Sequence, residues 1–262
     1  MDTALYLKNV WAIRYFWMHL ALADIRIKYR RSTLGLAWAL IQPLSLTLLF
    51  TFVMGSFFKI PMKNYAPFIF SGMILWEFLV SSAMSGCTAF VNAEGYIKQF
   101  SHPLLIYTLR CVIPCMVNLL CAFLGLVIWI LFWKPANFGT SELVLLIAFP
   151  LLFLFTWPIT TIFAFIAVKF RDFSQLVTIS LQAIYYVSPI MFLPQMFYSA
   201  HMGYLIDYNP LYHLFNLFRM PLLEGVLPSL NDIGTVFLSI LVLWASAGLL
   251  IKRNEKKIIF YL

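Results

Sequence analysis

Charged residues are scarce in this sequence. Asp, Glu, Lys and Arg make up 11% of its 262 residues, whereas 63% are hydrophobic and the mean hydropathy is +0.89. A typical soluble protein carries about 25% charged residues. A soluble protein with a large core would still need a charged surface, so this deficit excludes that class. The composition predicts an integral membrane protein.

The sequence also lacks the motifs of a nucleotide-binding or metal-dependent enzyme. None of the 11 glycines precedes a lysine, so there is no G-x-x-x-x-G-K loop to hold nucleotide phosphates. The four cysteines lie in apolar stretches without a histidine or carboxylate at metal-ligand spacing, which favours small buried hydrophobes over a metal site. We therefore expect a chain with no catalytic residue, no metal ligand and no bound cofactor.

Long uncharged runs are abundant. A helix needs about 20 apolar residues to cross the hydrocarbon core of a bilayer. The runs predict an all-α membrane protein with six transmembrane helices, in a single domain that covers residues 1–262. The predicted spans are residues 34–58, 66–92, 105–133, 143–168, 174–193 and 232–251. No cleavable signal peptide is expected before them.

The basic residues are distributed asymmetrically around these spans. Fourteen of the 18 Lys and Arg residues flank them on the side of both termini, and four lie on the other side, namely Lys59, Lys63, Lys134 and Arg219. Because Lys and Arg accumulate on the cytoplasmic side, both termini are expected in the cytoplasm. The membrane thus explains the net charge of +8, and no nucleic-acid partner is expected.

Three segments do not fit a plain bundle of six helices. Residues 7–31 place Ile13, Phe16 and Trp17 at helical spacing among basic residues, which predicts an amphipathic helix at the cytoplasmic interface. The alternative is a basic flank that only sets topology. Residues 92–103 are too polar for hydrocarbon, whereas residues 194–228 are too apolar for a water-exposed loop and suggest re-entrant helices.

The only charge well inside a predicted span is Glu77. A carboxylate at that depth is costly, so it is a candidate functional residue, either as a structural contact or as part of a transport path. A lone carboxylate cannot provide an acid and base pair. A secondary transporter usually shows paired broken helices in two related halves, and this sequence has no internal repeat. ATP-driven transport would require a separate soluble ATPase.

The segment Tyr29–Pro43 (YRRSTLGLAWALIQP) resembles the start of the ABC-2 type permeases, where a basic amphipathic helix runs into Leu-Gly-x-x-Trp and a proline. Later parts of the resemblance are Lys169-Phe170-Arg171-Asp172, Ser188-Pro189 and Tyr208-Asn209-Pro210. The chain is most similar to the permeases that export O-antigen, capsule or teichoic acid. The motifs are weak singly, but they occur in order along essentially the whole chain.

This resemblance implies a mechanism and partners. Two copies of the chain would form a channel, and two copies of a soluble ATPase, which would hold ATP and Mg²⁺, would drive it. The substrate would be a polysaccharide linked to undecaprenyl diphosphate, moved from the cytoplasm across the bacterial inner membrane. Residues 7–31 and 92–103 resemble the elements that couple to the ATPase, and residues 194–228 resemble the external re-entrant gate.

Three groups of candidate site residues follow. Those expected to couple to the ATPase are Arg26, Arg30, Arg31, Glu94, Lys98, Gln99, His102, Arg171 and Asp172. Those expected to line the channel are Trp38, Glu77, Tyr185, Tyr186, Phe192 and Tyr198. The five aromatic residues are included because sugar rings stack on flat side chains, and the alternative is that these aromatics face lipid. Those expected in the external gate are Asn209, Pro210, His213 and Arg219.

Other possibilities remain open at this stage. Arg219 or His213 could meet the diphosphate or simply pair with Asp207 or Glu224. The substrate could instead be a drug or a small lipid, although such permeases often carry a fused ATPase or a larger external domain. A membrane-embedded enzyme that acts on a lipid-linked sugar is a third possibility, and it would turn over substrate without an ATPase.

Overall fold

The computed structural model describes residues 3–30, 32–58, 61–133 and 139–262, and within them every regular element is helical. The predicted coupling residue Arg31 and the flanking Lys59 and Lys134 lie outside these ranges. The α-helices are α1 (Thr3–Ala12), α2 (Arg14–Tyr29), α3 (Trp38–Phe58), α4 (Met62–Thr88), α5 (Glu94–Gln99), α6 (Leu105–Trp133), α7 (Leu145–Ala167), α8 (Phe173–Val187), α9 (Pro194–Ser199), α10 (Tyr204–Asp207), α11 (Pro210–Arg219) and α12 (Leu230–Asn254).

Among the described residues, five helical segments are long and apolar enough to cross a membrane, so the chain is a multi-pass membrane protein. They are Gly35–Phe57, Met62–Thr88, Leu105–Phe132, Thr140–Ala167 and Leu230–Asn254. The first and fourth each begin with a short 3₁₀ turn, Gly35–Ala37 and Thr140–Val144. Gly35 has a positive φ of 52°, a backbone conformation that glycine adopts without steric cost, where the chain turns from α2 into α3.

The predicted span 174–193 is wrong at its C-terminal end. Its helix, α8, has 15 residues and stops at Val187. Ser188 is extended (φ −90°, ψ 145°) because the residue before a proline is disfavoured in helical conformation, and Pro189 follows it. Residues 188–193 form turns and bends before α9 begins.

The predicted single helix over residues 7–31 is also wrong, because the helix starts at Thr3 and is broken at Ile13. Ile13 has non-helical backbone angles (φ −100°, ψ 27°). The carbonyl of Val10, which would otherwise accept the next helical hydrogen bond, accepts one from the indole Nε1 of Trp17 at 3.1 Å.

Helix α4 is the centre of the bundle. In its most apolar window 72% of the residues are buried, against 17% in the corresponding windows of the first and last spans. A Cβ at Gly86 would meet the backbone of Thr160, so this glycine lets α4 and α7 approach closely. Small residues at helix contacts are the usual way in which membrane helices pack.

A second core lies at the end of the molecule that holds both termini. It combines buried residues of α1, α2 and α5 with the start of α6, the end of α7 and the C-terminal tail. Asp24 of α2 binds Arg110 of α6 through two hydrogen bonds of 2.6 Å. The Tyr6 hydroxyl donates to Glu255 at 2.7 Å, and burial together with this hydrogen bond raises the pKa of Tyr6. The N- and C-terminal segments are thereby held together.

Candidate functional site

The polar segment 92–103 contains a short exposed helix, α5. Its Ile97 side chain is buried in the second core described above, here called the terminal core. On the exposed side of α5, Glu94 and Lys98 form an ion pair of 2.6 Å. Gln99 is exposed at the end of the helix. The predicted coupling residues of this segment therefore lie on a small, rigidly held surface.

Phe16 connects helix α2 to this surface. Its ring lies 5.8 Å from that of Tyr96 and 5.2 Å from that of His102. His102 in turn stacks on Phe100, with ring centroids 5.6 Å apart. The structure thus brings together two segments that the sequence predicted separately to be coupling elements.

The other predicted coupling residues are placed less closely. Arg26 and Arg30 are exposed on α2 and just after it. Arg171 and Asp172 are exposed at the junction of α7 and α8, and neither side chain makes an ion pair or hydrogen bond among the described residues. The neighbouring Lys169 donates to Asn254 at 2.6 Å, so this junction contacts the end of α12 rather than α5.

A groove of about 590 Å³ lies between α3, α4 and α8 and brings together three of the six predicted channel residues, Glu77, Tyr185 and Tyr186. Tyr185 contacts the ring of Trp76 at 5.6 Å and that of Tyr186 at 5.4 Å. Tyr186 is 63% exposed. The groove is therefore lined by aromatic faces, with a single carboxylate among the residues described.

Polar side chains that the sequence analysis missed complete this groove. Thr178 and Gln182 lie on α8 beside the two tyrosines. The signal that could have found them is their spacing, because Thr178, Gln182 and Tyr185 recur at three or four residues and share one helix face. The groove can offer hydroxyl and amide hydrogen bonds as well as aromatic stacking.

Glu77 faces two spaces at once. Glu77 is exposed although most of α4 is buried, and no described group forms a hydrogen bond with its carboxylate. Besides the groove it lines a smaller cavity of about 110 Å³, together with Trp38, Gln42 and Asn118. Trp38 therefore shares this smaller cavity with Glu77 and does not line the groove of Tyr185 and Tyr186, while Phe192 and Tyr198 belong to the segment after α8.

Asn209 and Pro210 begin helix α11. The Asn209 side-chain oxygen accepts a hydrogen bond from the Leu211 backbone N–H at 3.0 Å, which is a helix N-cap, and Pro210 occupies the first turn. The Asn209 amide nitrogen donates to Ser188 Oγ at 2.9 Å. This residue pair therefore sets the start of α11 and ties it to the point where α8 ends.

His213 pairs with a residue that the sequence did not suggest. Its Nδ1 lies 2.7 Å from Asp232 Oδ1 in the first turn of α12, and its Nε2 lies 3.0 Å from the Asp207 backbone carbonyl. Asn216 donates to the same Asp232 oxygen at 3.1 Å, and Ser229 donates to the other at 2.6 Å. The hypothesis of pairing with the Asp207 carboxylate is wrong, because tertiary packing brings Asp232 closer.

The Asp207 carboxylate has another partner, Tyr198. The Tyr198 hydroxyl donates to Asp207 Oδ1 at 2.7 Å. This hydrogen bond, with a smaller effect of burial, raises the pKa of Tyr198 to about 12. Tyr198 is 48% exposed, so its ring remains accessible at the end of the molecule opposite to the termini.

Arg219 pairs with neither Asp207 nor Glu224. It is 4% exposed and, among the described residues, has no carboxylate within ion-pair distance. Its guanidinium donates only to neutral oxygens of α4 and of the segment after α8. The sequence-based hypothesis of an ion pair is therefore wrong, because the packing of α11 against α4 places the guanidinium among carbonyl groups instead.

Replacing Asp232 with Ala should lower the stability of the protein markedly. The change leaves His213, Asn216 and Ser229 without their common acceptor, and each buried donor left unsatisfied costs about 1–3 kcal/mol. Thermal unfolding of the purified protein in detergent measures the effect. Asp207→Ala is the matched control, because that carboxylate holds only the exposed Tyr198, and an equal loss in both variants would contradict the prediction.

Comparison with known proteins adds an independent observation. Residues 16–223 match the family described as ABC-2 type transporter. The chain is 24% identical to the O-antigen export system permease protein RfbA of Myxococcus xanthus over 258 residues, which cover 95% of this chain and 96% of the relative. It is 26% identical to an RfbA of Klebsiella pneumoniae (78% of each chain) and 24% identical to the polysialic acid transport protein KpsM of Escherichia coli (79% and 80%). The chain therefore belongs to the ABC-2 type transporter family.

Proposed function

We propose that this chain is the membrane-spanning subunit of an ATP-driven exporter that moves polysaccharide from the cytoplasm across the bacterial inner membrane. The observation that carries the proposal is the groove of Trp76, Glu77, Gln182, Tyr185 and Tyr186 within a protein of this family. Sugar rings offer apolar C–H faces to aromatic side chains and hydroxyl groups to amides and carboxylates. The groove presents both kinds of partner at one surface.

The names of the relatives support the same substrate class. Two of the relatives described above are O-antigen export permeases and the third transports polysialic acid. Both substrates are long sugar polymers. We take the polymer to be O-antigen-like and linked to undecaprenyl diphosphate, so that its lipid anchor stays in the bilayer while the sugars pass through protein.

A second copy of the chain is needed to enclose the groove. Glu77 and Gln182 are exposed on the outside of a single chain, and lipid would leave these polar groups unsatisfied. Ionisable residues inside membranes face a bundle interior or a water-filled cavity. A homodimer in which the groove of each copy meets that of its partner gives such a cavity, which would be the transport channel.

We further propose six crossings with both termini in the cytoplasm. Helix α8 has 15 residues, and residues 188–193 would complete its passage through the membrane. Helices α9 to α11 would then form the external gate, with irregular backbone tolerated because it is buried against protein. The hydrogen bond between Asn209 and Ser188 supports this arrangement, since it holds the start of α11 to the end of α8.

The energy would come from a separate soluble subunit, because this sequence contains no phosphate-binding loop. Two copies of that ATPase, with ATP and Mg²⁺, would dock on the surface formed by α2 and α5. Movement of α5 would pass to α6 through Ile97 in the terminal core. Movement of α2 would pass to α6 through the ion pair between Asp24 and Arg110. Helix α6 packs directly on α4, which lines the groove.

Deleting the gene for this chain should leave lipid-linked polymer inside the cell. The measurement is surface polysaccharide by antibody labelling, together with extraction of the intracellular lipid-linked pool. Expression of the wild-type chain in the deletion strain is the control and should restore export. Normal surface polymer in the deletion strain would contradict the proposed function.

Replacing both Tyr185 and Tyr186 with Ala should reduce export without reducing assembly with the ATPase. The change removes two stacking surfaces from the groove, and each aromatic–sugar contact is comparable to other ring contacts of about 0.5–1.5 kcal/mol. Double replacement of the exposed Phe237 and Leu238 of α12 is the control, because these side chains lie outside the groove. Equal export by both double variants would rule out the groove as the sugar path.

Charge reversal at α5 should weaken ATPase docking. Glu94→Lys and Lys98→Glu each place like charges one helical turn apart and change the exposed surface, whereas the double exchange restores the ion pair with its direction reversed. Co-purification of the ATPase with each variant measures docking. We expect loss in both single variants and in the double exchange; recovery in the double exchange would mean that only the helix, and not its surface charge pattern, matters.

A further inference from the structure

Arg219 is the last residue of α11 and lies inside a set of neutral oxygens, here called the oxygen cage: the carbonyls of Phe68, Pro189 and Ile190 and the hydroxyl of Ser71. Its Nη1 donates to Pro189 at 2.6 Å, and its Nη2 donates to Phe68 at 3.2 Å and Ile190 at 3.3 Å. Its Nε donates to Ser71 at 3.3 Å. The guanidinium also lies over the ring of Phe68, 3.8 Å from its centroid.

A buried cation without a carboxylate is costly, so this arrangement needs a compensating gain. Hydrogen bonds from a charged donor are stronger than those between neutral groups, and a desolvated cation over an aromatic ring adds further attraction. The planar guanidinium spreads its donors over a wide arc. A lysine ammonium at the same place could not reach all four oxygens at once.

The oxygen cage joins three parts of the molecule. Phe68 and Ser71 belong to α4, Pro189 and Ile190 follow the end of α8, and Arg219 ends α11. The carbonyls of Pro189 and Ile190 are available because the helix ends before Pro189, so they are not paired with a helical N–H four residues later and can accept from Arg219. The Arg219 side chain therefore holds the end of α8 to α4 and to α11.

Gly72 makes room for this contact. A Cβ at this position would collide with Nη2 of Arg219 and press on the Ile190 carbonyl. The glycine lies one residue after Ser71, in a helix where glycine is otherwise unfavourable. The same contact can thus be disturbed from two sides, by changing the arginine or by adding a single methyl group to α4.

We propose that Arg219 is a positioning residue that holds the external segment of α9 to α11 in its closed position at rest. The inference rests on the proposed function, since it takes this segment as the outer gate of the channel. The external segment begins after the six residues that follow the end of α8. A hydrogen bond from the Asn209 side chain to Ser188 Oγ is a second connection between this segment and the end of α8. With the cage intact, the C-terminal end of α11 is held to α4 and to the segment after α8; without it, that end loses these hydrogen bonds and only the start of α11 keeps its tie to Ser188.

The test measures passive leak through the purified complex, without ATP and without polymer. Wild-type protein, Arg219→Lys and Gly72→Ala are reconstituted with the ATPase into vesicles that hold a small fluorescent anion, and the rate of dye loss is recorded. We expect both variants to leak several-fold faster than wild type. Gly248→Ala is the matched control, because a Cβ at Gly248 meets nothing within 4 Å and should leave the vesicles tight.

Variants that do not accumulate are replaced in the test by Ser71→Ala, which removes one oxygen of the cage and leaves the other three. A leak in Ser71→Ala above that of Gly248→Ala supports the proposal. Tight vesicles for every folded cage variant would overturn it. Because the leak is measured without polymer, this outcome is separate from that of the deletion strain: normal surface polymer there would refute the polysaccharide substrate but leave the leak result standing.

Discussion

The close packing of α4 against its neighbours is the constraint on which the rest of the structure depends. In lipid there is little hydrophobic drive to bring helices together, so close contact and hydrogen bonding must hold them. Gly86 lets α7 approach, and Gly72 makes space for Arg219 of α11. The groove is formed on the side of α4 that carries Glu77. The positions of the groove and of the external segment therefore both follow from one helix.

Polar side chains in this apolar protein fall into two kinds. Around α11 they satisfy one another: Asp232 accepts from His213, Asn216 and Ser229, and Arg219 is surrounded by oxygens. In the groove the carboxylate of Glu77 is exposed and has no described partner. The first kind stabilises an arrangement of helices. The second kind is open to water or ligand, which is why the groove rather than the region around α11 is the better candidate for contact with a substrate.

The end that carries both termini shows how motion could reach the groove. One core is shared by α1, α2, α5 and the C-terminal tail. Within it, Glu255 accepts hydrogen bonds from both the Tyr6 hydroxyl and the Leu104 backbone N–H. Helix α6 contributes residues to this core and also to the core around α4. Packed side chains of α6 therefore connect the α5 end of the molecule to the helix that carries Glu77.

The sequence by itself determined the membrane class, five of the spans and the polar turn that holds α5. These features depend on local composition and on the length of apolar runs, which can be read within a few turns of chain. Tertiary structure alone decided that Asp232 binds His213 and that Arg219 lies among carbonyls rather than beside a carboxylate. Both contacts join helices that are distant in the sequence, so only the packed molecule defines them.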